Sequence, residues 1–66
     1  MDYVEGIKTR RKKLGISQLD LAELSELSLA TIKDIERGKS NPSLSTMEKI
    51  NKVLGLEFVL QVRRTF

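Results

Sequence analysis

Neither cysteine nor histidine occurs in this 66-residue chain. Without cysteine there is no disulfide and no thiolate metal site to staple a small core, a composition compatible with a reducing compartment. Without histidine the commonest general base and metal ligand are gone, and neither a Gly-rich phosphate loop nor a nucleophile elbow takes their place. An enzyme is therefore not expected, nor a metal, a cofactor or a small-molecule substrate. Apolar runs are only a few residues long, far short of the roughly 20 needed to span a bilayer, and no signal-peptide core opens the chain. A cytoplasmic protein without a membrane partner is expected. Pro42 is the single proline, so backbone breaks must come from glycine and from polar caps.

A chain this short forms one domain and buries only about 60% of the surface its unfolded form exposes. Self-association is the natural remedy for so small a core. Twelve Lys and Arg against nine Asp and Glu leave a formal charge of +3, a mild preference for anionic partners. Distribution matters more: five of the six residues from Lys8 to Lys13 are basic, which concentrates positive field locally. Such a run also suits a solvated helix face.

Asp2 with Glu5 has capping-box spacing and opens a first helix that runs to about Leu14 before Gly15. Tyr3, Val4, Ile7 and Leu14 share its inner side, and Arg11 falls in the same arc. A partly buried guanidinium needs an acid. Glu36, at the edge of the core side of its own helix, is the expected partner; the alternative is that Arg11 snorkels to water. Ser17 caps a second helix with Asp20 three residues on, and Leu21, Ala22 and Ser25 line its inner edge. Leu27 plugs the turn, Ser28 caps a third helix and Gly38 stops it. After the polar loop from Lys39 to Ser43, Ser43 or Ser45 begins a fourth helix with Leu44, Met47, Ile50 and Leu54 as its stripe, ended by Gly55.

The third helix has two sides when residues are placed about 100° apart. Ile32 and Ile35 form a core stripe, with Thr31 and Glu36 at its margins. Leu29, Ala30, Lys33, Asp34 and Arg37 share the other side. Methyl groups, a cation and a carboxylate are what reading base edges requires: thymine methyl, guanine and the cytosine amine respectively. The same mixture also suits a solvated face.

At the C-terminal end the period changes. Phe58, Leu60 and Val62 alternate with Glu57, Val59, Gln61 and Arg63, a strand pattern. A single strand leaves its backbone groups unpaired, so residues Phe58, Val59, Leu60, Gln61 and Val62 are expected to pair with their counterparts in a second copy. The alternative is a continuing helix or a frayed tail.

With these residues placed, the chain resembles the helix-turn-helix domains of lambdoid phage repressors and Cro proteins, the XRE family. The likeness rests on the basic first helix ending in LGIS, then SQLDLA, LSLATIKDIERGK and NPSLSTMEKINKVLG, in order and at the usual spacing. It covers Tyr3 to Leu56 and implies an all-α fold of four to five helices over residues 1–56, to which the strand pattern adds a dimer strand in 57–66. It also implies a dimeric repressor that reads a palindromic operator in double-stranded DNA, the third helix entering the major groove. Carried over by position, Leu29, Ala30, Thr31, Lys33 and Asp34 face bases. Gln18, Ser28, Arg11, Arg37, Lys39, Ser40 and Asn41 hold the DNA backbone, with Arg11 also pairing to Glu36. Three departures stand out: Glu26 occupies a turn position usually held by glycine, Leu29 and Ala30 replace polar base readers common in phage repressors, so the base preference does not carry over, and Leu19 and Leu24 replace polar residues. The short length and the segment GLEFVLQVR also resemble HipB-like antitoxins, which implies a protein toxin as an alternative partner.

Overall fold

The computed structural model describes residues 2–59 and 62. Four helices form in order: α1 (Tyr3–Lys13), α2 (Gln18–Ser25), α3 (Leu29–Glu36) and α4 (Leu44–Leu54). Each begins at a side-chain oxygen that takes a free backbone N–H of its first turn. Asp2 accepts from Glu5, Ser17 from Asp20, Ser28 from Thr31 and Ser43 from Thr46. Only at Ser17 does the third residue return the bond, making a full capping box. At the start of α1, Glu5 instead approaches Lys8 at 3.9 Å.

All four helices end in a left-handed residue followed by a residue whose N–H reaches back to the last turn. Ile16 N–H donates to Arg11 O, Leu27 to Ala22 O, Lys39 to Asp34 O and Leu56 to Asn51 O. Glycine holds the left-handed position three times; after α2 it is Glu26, at φ 59°. The strain that a side chain carries there is tolerated because the bonds on either side are made.

The core is Ile7, Leu21, Ala22, Ile32, Ile35, Ile50 and Leu54. Helix α2 packs on α3 and α4, and α1 covers the same pair. Tyr3, Ile16, Leu27, Leu29, Val53 and Leu56 pack around this centre. Two residues expected inside are not: Leu14 and Leu44 are 44% and 58% exposed. Leu14 is the C-cap of α1, and Leu44 is the first residue of α4. At a helix end, the chain's change of direction takes a side chain away from the stripe that the wheel assigns it. Leu19 and Leu24 are exposed as well.

Among the described residues there is no strand. Phe58, Val59 and Val62 of the expected strand lie in irregular backbone, and Leu60 and Gln61 lie outside the described residues. Phe58 instead sets its ring 5.8 Å from that of Tyr3, tilted by 35°. Among the described residues no helix is long and apolar enough to cross a membrane.

Candidate nucleic-acid interface

Helix α3 carries the candidate interface, and its orientation is set from its buried side. Ile32, Ile35 and Glu36 are buried. Ala30, Lys33 and Arg37 are exposed, with Thr31 and Asp34 between the two extremes. Leu29 divides its surface, partly buried and packed against the core.

Glu36 is fastened from two other helices. Arg11 Nε and Nη2 donate to its two oxygens at 2.7 and 2.9 Å, while Nη1 donates to Ile16 O at 3.0 Å. Gln18 Nε2, on the first residue of α2, donates to the same carboxylate at 3.1 Å. Burial alone pushes the Glu36 carboxyl up, but the hydrogen bonds from Arg11 and Gln18, with the positive charges of Arg11 and Lys8, outweigh it and hold the group below its ordinary value. This arrangement locks the end of α3 to the start of α2. The Arg11 side chain is only 12% exposed and three of its five N–H donors are in use, which makes it part of the scaffold and leaves two N–H groups on the guanidinium uncommitted.

The basic run on α1 is partly spent in the same way. Arg10 Nε donates to Leu54 O at 2.8 Å, closing the end of α4. Lys12 and Lys13 remain exposed. At the other end of α1, Tyr3 Oη lies within hydrogen-bond reach of Met47 O at 3.3 Å and Asn51 Oδ1 at 3.2 Å, and burial pushes its phenol up to about 12. Reading the sequence missed the buried Asn51 and the Arg10 clamp. A polar residue inside an apolar stripe, three positions before its end, was the available signal.

The outer rim gathers the remaining candidates. Ser28 Oγ accepts from Thr31 N–H at 3.1 Å and lies 2.8 Å from Thr31 Oγ1, so both hydroxyls are part of the cap of α3. Arg37, the C-cap, pairs with Asp34 across one turn on the exposed side. Lys39, Ser40 and Asn41 follow on exposed backbone. Because Gln18 touches Glu36, the start of α2 and the loop after α3 lie at the same end of the helix pair.

A helix that is capped in a serine turn, crossed by a preceding helix and held by a buried acid is a helix-turn-helix unit. Comparison with known protein families matches residues 7–61 to the one described as helix-turn-helix. The chain belongs to the helix-turn-helix family, in its XRE, Cro/C1-type branch. It is 45% identical over 57 residues to the immunity repressor protein of Bacillus phage phi105, covering 86% of this chain and 40% of that protein. It is 46% identical over 48 residues to the control protein C.BamHI of Bacillus amyloliquefaciens, covering 73% of this chain and 59% of that one. The HTH-type transcriptional regulator PuuR of Escherichia coli K12 is 46% identical over 46 residues, 70% of this chain and 25% of its own length. The chain thus spans less than two thirds of each of these relatives, and the likeness is to their helix-turn-helix portion.

Proposed function

We propose that this chain is a sequence-specific DNA-binding transcriptional regulator, a dimeric repressor acting on a palindromic operator in the cytoplasm. The observation that carries this reading is the division of α3: a buried side clamped by Arg11 and Gln18, and an exposed side of Ala30, Lys33, Asp34 and Arg37. The regulators and repressors among its relatives support the same reading. In it, Ala30, Lys33 and Asp34 meet base edges, with Leu29 and Thr31 at their margin. Gln18, Ser28, Lys39, Ser40 and Asn41 hold phosphates, joined by Arg37. Phe58 to Val62 pairs with the same segment of a second copy, placing the two α3 helices about 34 Å apart in successive grooves.

Affinity measured against salt tests this reading. If each subunit neutralises about four phosphates, the logarithm of affinity should fall with the logarithm of salt at a slope of about −7 for the dimer. A slope near zero contradicts it.

A second reading, an antitoxin that holds a protein toxin and represses its own operon, draws support from the exposed apolar side chains of Leu24, Phe58 and Val59. Co-purification with a kinase-like protein supports that reading. Isolation of the chain alone, under conditions that retain a control complex, counts against it.

A further inference from the structure

Charges of alternating sign occupy adjacent places on the exposed side of α3: Lys33, Asp34 and Arg37. Arg37 Nη2 donates to Asp34 Oδ1, and the two side chains are 59% and 45% exposed. The backbone beneath them is held fast. Arg37 N–H donates to Lys33 O at 3.0 Å, Gly38 N–H to Ile35 O at 3.0 Å and Lys39 N–H to Asp34 O at 2.9 Å. Lys33 joins no ion pair found among the described residues. Arg37 is therefore a cation whose charge is already taken by a neighbour on the same face, beside one that is not.

A carboxylate brought into the DNA major groove is repelled by phosphates and by the acceptor edges of guanine and thymine. It finds a donor only in the exocyclic amine of cytosine or adenine. An exposed i, i+3 ion pair is weak and exchanges readily for better partners. We propose that Asp34 and Arg37 form an internal counterion pair that sets sequence discrimination. On DNA lacking a suitably placed amine the pair stays closed, and Arg37 contributes no phosphate contact. On the preferred site Asp34 takes the base amine and Arg37 is released to a phosphate. Discrimination then comes from a cation withheld from the wrong sequences as well as from a bond made to the right one.

This inference rests on the reading that the exposed side of α3 meets DNA, and the experiment separates the two. Binding to a random-sequence duplex is measured against salt for the wild type, Asp34→Ala, Arg37→Ala and the double variant, with thermal melts as a check on folding. Asp34→Ala is expected to bind the random duplex about 3- to 10-fold more tightly and to steepen the salt slope by about one per subunit. In the Arg37→Ala background most of that gain is lost. An equal gain in both backgrounds is plain relief of charge repulsion and overturns the proposal, as does no gain at all. Lys33→Ala, measured alongside on the duplex enriched from a randomised pool, reports on the underlying reading. If it weakens binding while the Asp34 and Arg37 changes show no coupling, only the counterion pair falls; if it binds like the wild type, the DNA-facing reading falls with it.

Discussion

Arg11 and Glu36 join α1 to α3 through a two-pronged charge pair, Nε and Nη2 at 2.7 and 2.9 Å from the carboxylate oxygens, with side chains only 12% and 4% exposed. Because Gln18 donates to the same carboxylate, one acid ties three helices together. Removing one partner leaves the other charged and mostly dry, which costs far more than a surface pair does. Glu36→Gln or Arg11→Ala should lower unfolding free energy by about 2 to 4 kcal/mol, a large part of what a domain this size has. Arg11→Met with Glu36→Leu should recover most of the loss. Urea unfolding of the four proteins checks this, and a single variant as stable as the wild type refutes it.

The same acid sets an acid limit to stability. Glu36 is held below its ordinary value of 4.5 in the folded chain, so its stabilising effect is fully present above the unfolded value and is lost as pH falls through the folded one. Asp20, lowered first by its hydrogen bond from the Ser17 backbone and then by the Ser17 side chain, acts in the same direction. Melting temperature should therefore hold near neutrality and fall below about pH 5. Glu36→Gln should show a shallower acid limb, and parallel limbs would show that the carboxyl is not the titrating group.

Glu26 pays a conformational penalty that its glycine counterparts after the other helices escape. At φ 59° it sits where a Cβ is disfavoured, and its N–H still bonds to Glu23 O at 3.2 Å. Glu26→Gly should stabilise the fold by roughly 0.5 to 1 kcal/mol, the left-handed strain relieved less the added entropy of unfolded glycine. Chemical denaturation measures it directly. A destabilised variant would mean that the Glu26 side chain makes a compensating contribution.

Val62 is fully exposed in the single chain, so nothing in the monomer fold is lost by changing it. In the proposed strand pairing it lies on the same face as Phe58. Val62→Lys should shift the protein from dimer to monomer in sedimentation while circular dichroism stays helical. An unchanged mass refutes the strand as the dimer element.

Helix positions were legible because each start carries its own chemical mark, from Asp2 and Ser17 to Ser28 and Ser43, and because glycine marks three of the four ends. The Arg11 and Glu36 contact followed from a cation inside one apolar arc and an acid at the edge of another. Residues at element ends were less legible: Leu14 and Leu44 obey the wheel in sequence but leave it in space. Gln18 illustrates a different limit. Its position suits a phosphate contact, and only the packing of α2 across α3 reveals that its amide also reaches Glu36. The pairing of Asp34 with Arg37 was open to detection from its i, i+3 spacing, but the charge mixture around it suits a reading surface and a solvated one equally.

Selection from a randomised DNA pool, run with the wild type and with Lys33→Ala, tests the central claim most directly because it reports affinity, base preference and half-site spacing together. The account predicts an enriched palindrome with half-site centres about one helical turn apart for the wild type. For Lys33→Ala it predicts relaxed preference at one position of each half-site, costing about 1 to 3 kcal/mol on the preferred sequence. No enrichment, with only weak binding at moderate salt, would contradict it and leave the helix-turn-helix as a scaffold for a protein partner.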